Sequence, residues 1–388
     1  MALSHLLKAG AAALVLSFLV GCEEDARLSR NGRHYVPIPG HMISLMAEKG
    51  TTKHQPILIR AFKKESELEV WKQNLTGEYV HLKTYPMCRW SGQLGPKVRE
   101  GDRQVPEGFY SITPAQMNPN SSFYLSFNVG YPNAYDRAHD RTGSLIMVHG
   151  ACSSMGCFSM TDEQIAEIYA ITREAFAGGQ KAVQLQSFPF RFTPQNMAKF
   201  RADPNMPFWK TLKEGSDSFE VSKRETQVSV CERRYVFNRT AKDNARFEAA
   251  AACPPSETND AVASAVAAKA RNDETKVAEL VQSGTRAVRR IYKDGDQHPS
   301  FKTVQMAKVS SDGQYLEPTK ANVSRVAEVS RPDDLEHGPI EIAIEDLKGK
   351  ASLPARQLAV SLPAKKDALT TGAVATAASA TSAPQPKS

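Results

Sequence analysis

The residue types best suited to chemistry fall in one stretch, Leu145-Ile146-Met147-Val148-His149-Gly150-Ala151-Cys152-Ser153-Ser154-Met155-Gly156-Cys157. A short apolar run delivers His149 to its end, a Gly- and Ser-rich loop follows, and Cys157 arrives just before a segment from Thr161 that reads as a helix. Cysteine reacts as the thiolate, so a nucleophilic cysteine needs a base within reach and a lowered pKa. A helix N-terminus favours nearby negative charge, and a glycine such as Gly156 lets a backbone N–H approach a developing oxyanion closely. The stretch therefore fits a Cys–His nucleophilic site. Two other readings fit the same residues. His149 and the cysteines could be buried or disulfide-bonded, or His149, Cys152 and Cys157 could be metal ligands. Against a metal, no fourth ligand stands at a recognised spacing, and zinc frameworks normally repeat a paired motif.

The elements that must carry these residues are mostly strands. Ile57–Phe62, Leu68–Trp71 and Tyr79–Tyr85 are apolar or alternating runs with a polar turn between the first two, which predicts a hairpin and a third strand. Gly92, Gly95, Pro96, Gly101, Pro106 and Gly108 mark a loop. Phe109–Ile112, Phe123–Val129, Ser144–His149 and Val183–Phe188 read as further strands, and 227–230 and 234–237 as closing ones. The first convincing helix is Thr161–Phe176. Thr161 can cap it with Gln164 three residues on, Ile165, Ile168, Tyr169 and Thr172 share a face, and Gly178-Gly179 stops it. Asn196–Arg201 and Phe208–Lys213 are short helix candidates. These elements predict one mostly β domain with a few helices over residues 55–240.

The flanks differ from this centre. Residues 1–22 place Lys8 before an apolar run that ends in Leu19-Val20-Gly21-Cys22. That run is too short for an ordinary membrane span and suits a signal peptide. Its end resembles a bacterial lipobox, which implies lipidation of Cys22 and a lipid-anchored protein facing the periplasm; an ordinary secretory signal with an incidental cysteine is the alternative. Residues 23–54 read as a polar tether. Of 30 aromatic residues only Tyr292, Phe301 and Tyr315 follow Cys253, so residues 241–388 read as a low-complexity tail, disordered beyond Asp294, with one helix around 260–293. A net charge of +7 without a dense basic block carrying interleaved aromatics argues against nucleic acid. Without Cys22 five cysteines remain, an odd number, so in an oxidising compartment at least one thiol stays free or pairs outside the chain.

The central motif resembles the active site of the YkuD-type L,D-transpeptidases, whose core is a His-Gly pair followed by Ser/Thr-x-Gly-Cys; here these are His149-Gly150 and Ser154-Met155-Gly156-Cys157. The match is closest to the murein-transpeptidase-like branch with a compact His–Cys spacing. Residues 91–97, Gly101-Asp102, 106–110, 128–139 and 188–191 also resemble segments of that branch, in the same order. Most of the wider family has His where this chain has Met155, and Asn or Arg where it has Ser159. The resemblance implies a YkuD-like β-sandwich with Cys157 as nucleophile, His149 as general acid and base, Gly156 in the oxyanion region and Ser154 ordering the loop. It implies acyl transfer on peptidoglycan stem peptides through a thioacyl-enzyme, with no metal or organic cofactor. The acceptor would be a second stem amine, a lysine of a wall-linked lipoprotein, or water in a hydrolytic variant; a non-catalytic wall-binding lipoprotein is the reading from another class. Arg191, Arg137 and His139 are candidate substrate contacts, with ordinary surface roles as the alternative. Cys88 and Cys152 both lie in stretches resembling the branch, and a bridge between them would leave Cys157 free; two separate buried thiols are the alternative. All these motifs precede Thr240, which predicts a domain independent of residues 241–388.

Overall fold

The computed structural model describes residues 32–301, 338–347 and 349. Cys22, the leader and most of the region after 301 lie outside the described residues. The centre is a mixed five-stranded sheet of β1 (Ile57–Phe62), β2 (Glu67–Gln73), β3 (Tyr79–Pro86), β4 (Gly108–Ile112) and β9 (Val183–Phe188), in the order β3-β2-β1-β9-β4. β1 pairs antiparallel with β2 and parallel with β9, Phe62 lying opposite Phe188. β1 is buried along its whole length, as expected for a strand with neighbours on both edges. A second sheet holds β5 (Met117–Asn118), β6 (Ser126–Asn128), β7 (Met147–His149) and β8 (Phe158–Ser159) in chain order. The pair that frames the motif, β7 and β8, is parallel. The fold is mostly β with several helices.

Helices pack against these sheets. α1 is Gly40–Glu48, α2 Ala134–Ala138, α3 Asp162–Ala177, α4 Pro194–Lys199, α5 Met206–Ser222 and α6 Asp260–Gln282. α3 starts where the capping box required: Thr161 Oγ1 accepts from Gln164 N, and Gln164 Oε1 accepts from Thr161 N. Its buried face includes Ile165, Ile168, Tyr169 and Thr172. α5 runs nine residues past the expected stop. Gly215 is the reason it can: a Cβ there would come within 2.4 Å of the Phe109 ring and 2.5 Å of Phe237, so the glycine permits close packing rather than ending the helix.

The two flanks depart from the sequence reading. Residues 33–54 are no tether: Ile38, Met42 and Met46 join the core, and Arg173 on α3 donates to the carbonyls of His34 and Val36. Met42 and Met46 are one helical turn apart, a spacing that puts both on the buried face of α1. At the other end the domain does not close at Thr240. After β10 (Val228–Cys231) and β11 (Arg234–Phe237), the pair β12 (Arg239–Ala241) and β13 (Ser256–Thr258) leads to α6, which packs on α4 and α5. A Cys231–Cys253 disulfide ties this excursion down. The expected helix over 260–293 ends at Gln282, and β14 (Val288–Ile291) follows, paired with β15 (Ile340–Ala343). Tyr292 is completely buried against Trp90, so ordered core extends past residue 290. The reading of disorder beyond Asp294 is corrected for 295–301 and 338–347; apart from residue 349, the rest of that stretch is outside the described residues.

Candidate active site

The β7–β8 pairing brings the motif together. Side chains alternate along a strand, so Met147 and His149 share a face. The parallel register sets Val148 opposite Phe158 and His149 opposite Ser159. Cys157 immediately precedes β8, which brings it beside Met147 at the start of β7. The backbone confirms the proximity, because Met147 N donates to Cys157 Sγ at 3.4 Å. The sulfur also lies 3.8 Å from Leu145 O. Cys157 is the one free cysteine among the described residues; Cys88 is joined to Cys152 with their Cα atoms 5.4 Å apart, and Cys231 to Cys253. With Cys152 in a disulfide, His149, Cys152 and Cys157 are not a metal-ligand set.

His149 is 4% exposed, and its Nδ1 sits 2.6 Å from Gly150 O. A carbonyl can only accept, so Nδ1 carries the proton and Nε2 is the basic nitrogen. The ring rests on Phe123, centroids 4.7 Å apart. Burial pushes the imidazole down to about 4, outweighing the Gly150 bond, which favours the charged form. Burial likewise pushes the Cys157 thiol up; the Met147 N–H and the charge of Lys97 pull it back part of the way. The resting pair is therefore a neutral thiol beside a neutral imidazole. Lys97 is itself buried, its Nζ donating to Asp102 Oδ1 at 2.6 Å and to Arg99 O at 2.9 Å.

The loop between the strands is shaped by two glycines and one serine. A Cβ on Gly150 would lie 2.6 Å from Asp162 Oδ1, the carboxylate oxygen that accepts from Ala151 N at 2.8 Å. Gly156 adopts φ +123°, a conformation closed to other residues. Ser154 Oγ donates to Cys157 O at 2.7 Å and accepts from Cys157 N at 3.1 Å and Gly156 N at 3.3 Å. Gly156, expected in the oxyanion region, directs its N–H at Ser154 Oγ in this structure, and its backbone angle makes a glycine a conformational requirement of the loop. Exposed apolar side chains flank the motif: Met155 in the loop, Leu145 just before β7, and Phe123 against the His149 ring.

The three candidate substrate contacts are otherwise engaged. Arg191 Nη2 lies 2.6 Å from Glu67 Oε2 and 2.7 Å from Glu69 Oε1, so its guanidinium already holds two carboxylates of the chain. Arg137 donates to Pro132 O. His139 Nδ1 meets Tyr135 O at 3.0 Å, and its ring packs against Tyr135 at a 30° tilt. The structure does not gather these three around Cys157. Sequence reading missed Lys97, whose residue type is normally exposed, and Met147, which acts through its backbone. It also missed Arg103, whose Nη2 donates to Ser154 O at 3.3 Å. For Lys97 the only available signal was its place in the 91–97 segment.

Comparison with known proteins identifies the family. Residues 59–183 match the YkuD L,D-transpeptidase catalytic domain. Two Escherichia coli proteins, from strain K12 and from O157:H7, both named "Putative L,D-transpeptidase YafK", are 42% identical over 184 residues, covering 47% of this chain and 74% of theirs. Among solved structures, the helical cell shape determining protein Pgp2 of Campylobacter jejuni aligns over 64% of this chain and 80% of its own at 16% identity, with a TM-score of 0.29, too low to carry an inference.

Proposed function

Because the chain belongs to the YkuD family of L,D-transpeptidases, we propose that it is a cysteine acyltransferase acting on peptidoglycan stem peptides, with Cys157 as nucleophile and His149 as general base and acid. One observation carries this reading: the single free thiol among the described residues takes on its sulfur the backbone N–H of Met147, two residues before the neutral His149 imidazole in the same strand. Cys157 Sγ attacks the carbonyl carbon of the amide that follows a diaminopimelate residue, and His149 Nε2 takes the thiol proton. Collapse of the tetrahedral adduct breaks the C–N bond, His149 returns the proton to the leaving amine, and a thioester remains on Cys157. An acceptor amine resolves it as a crosslink or a protein–wall linkage; water resolves it as hydrolysis. Both groups rest neutral, so the thiol proton must pass to His149 for the sulfur to react. The two disulfides fit an oxidising compartment. With the leader ending at Cys22 they support a lipid-anchored envelope protein, which mass analysis of the membrane-bound form for acyl groups on Cys22 tests.

The deciding experiment is incubation with purified sacculi followed by mass analysis of the products. New dimers linked through diaminopimelate identify transpeptidation, and released stems or proteins identify hydrolysis; Cys157→Ala should lower either by at least about a thousandfold. A carbapenem should add once to the wild type, and an adduct persisting on Cys157→Ala would remove the assignment. The pH dependence has a definite sign. kcat/KM reports the free enzyme, so it should stay level through pH 6.5 and fall only as the imidazole protonates near pH 4. An acid limb at 6.5 would mean that His149 is solvated and not the buried base.

A further inference from the structure

We propose that Asp294, carried on the segment that follows β14, is a positioning residue for the nucleophile loop and acts through Arg103. The proposal rests on the acyl-transfer reading for its role and on geometry for its existence. Asp294 is 191 residues from Arg103 in the chain. Its Oδ2 accepts from Arg103 Nη2 at 2.6 Å and its Oδ1 from Arg103 Nε at 3.3 Å, while Arg89 Nη2 approaches Oδ2 at 3.4 Å. The same Arg103 Nη2 reaches Ser154 O at 3.3 Å. Ser154 is thus held from both ends, by its carbonyl through Arg103 and by its hydroxyl through the Gly156 and Cys157 backbone. Ser91 supports Arg103 from the other side, its Oγ donating to Arg103 O at 2.8 Å.

Asp294 can set a position because its own segment is fixed. Gln93 bonds Tyr292 through both its amide atoms, Oε1 accepting from Tyr292 N at 2.9 Å and Nε2 donating to Tyr292 O. Trp90 and Asp296 exchange backbone hydrogen bonds of 3.0 and 3.1 Å. Gly295, at φ +74°, lets the chain close down there, since a Cβ would sit 2.0 Å from Trp90 O. On the other side, Arg89 and Ser159 form a backbone bridge next to β8. The 87–91 stretch therefore lies between the Asp294 segment and the strand that begins at Phe158. The Cys88–Cys152 disulfide fixes the start of the nucleophile loop, and the Asp294–Arg103 pair fixes its middle. The Arg103 guanidinium grips both Asp294 carboxylate oxygens while reaching the Ser154 carbonyl, a planar, fixed fork that the single nitrogen of a lysine does not reproduce.

The test uses the full mature protein with Asp294→Asn, Asp294→Glu, Arg103→Lys and the Asp294→Asn/Arg103→Lys double variant. Arg103→Lys keeps the charge pair and protects the fold, and Asp273→Asn on α6 serves as a control that disturbs the structure without touching the loop. Readouts are kcat and KM on soluble stem peptides, and the pH midpoint of Cys157 alkylation by iodoacetamide. Asp294→Asn and Arg103→Lys should each lower kcat by about tenfold or more at unchanged KM, because a displaced nucleophile loses attack geometry rather than binding. Both should move the alkylation midpoint as the Met147 N–H loses its hold on the sulfur. Asp294→Glu should recover part of the loss, and the double variant should be no worse than the worse single one. Unchanged kcat and midpoint in Arg103→Lys, or losses that multiply in the double variant, would overturn the proposal. If the wild type processes no stem peptide, the acyl-transfer reading fails by itself, and the alkylation midpoint still decides whether Asp294 positions the loop.

Discussion

The two segments beyond Cys253 are attached to the domain by different physics. α6 shows most of its surface to solvent, and its only buried residue is an acid, Asp273. Charge holds it: Asp273 Oδ2 accepts from Lys213 Nζ on α5 at 2.7 Å and from Lys269 at 2.6 Å, while Lys269 lies 3.3 Å from Asp217. The segment 288–298 is held by burial and matched hydrogen bonds, with Tyr292 sealed against Trp90 and paired twice with Gln93. Only the second segment reaches the nucleophile loop. An element fastened by partly solvated charge can be loosened by salt with little consequence elsewhere. An element buried in the core transmits every disturbance, because packed interiors do not deform smoothly.

The sharpest way to break this contrast is Tyr292→Ala. Removing a fully buried aromatic ring should cost about 3–5 kcal/mol, by lost transfer energy and the cavity left behind. The loss should appear as a lower urea midpoint together with reduced turnover, since Asp294 lies two residues on. A large drop in stability with intact turnover would separate the segment from the site. For the same reason a chain ending at 245 should lose activity, contrary to the independence that the position of the motifs implied.

Range along the chain decides which features the sequence could reveal. β1, β2 and β3 announced themselves through local alternation, α3 through its capping box, and the His149–Cys157 pair through spacing within one strand–loop–strand unit. Each of these signals lies within about 20 residues of chain. The Asp294–Arg103 contact has no local signature, because it depends on a fold that returns the chain across 191 residues. Tyr292 lies in a stretch poor in aromatics, so the sequence placed it at the end of a helix with disorder from Asp294 onward, where a few buried side chains suffice to anchor the chain. Lys63 and Glu107, both fully buried and 2.9 Å apart, show the same limit: residue type says surface, and only the assembled sheet supplies the partners that let them stay inside. The odd cysteine count did carry information, since two bridges and one free thiol account for all five after Cys22.

A smaller effect is expected where the chain leaves the β domain for α6. Replacing Cys231 and Cys253 together by alanine opens a 22-residue separation and should lower stability by about 3 kcal/mol, chiefly through the unfolded chain. Because this excursion leads to α6 and makes no contact through Arg103 or Asp294, kcat on stem peptides should hold at a temperature where the variant stays folded. A fall in kcat there would extend the coupling seen for 288–298 to the charged segment and erase the distinction between them.

The smallest effect belongs to Asp273→Asn. Burial alone would raise the Asp273 carboxyl, but hydrogen bonds from Lys213 and Lys269 overcome it and hold the group below the usual carboxylate range. A carboxyl depressed in the folded state adds stability that is present above its unfolded pKa and is lost as pH falls through the folded one. The wild type should therefore lose its advantage over Asp273→Asn on acidification below about pH 4. At neutral pH the difference should be about 1 kcal/mol, because Asp217 remains to partner both lysines. It should also shrink as salt is raised toward 1 M, where the screening length falls to roughly 3 Å. The Tyr292→Ala loss, resting on burial, should not shrink in the same titration. Salt curves of melting temperature for the two variants would then separate the two kinds of attachment in one experiment, and parallel curves would mean that α6 is held by its apolar contacts, Val277 among them, rather than by charge.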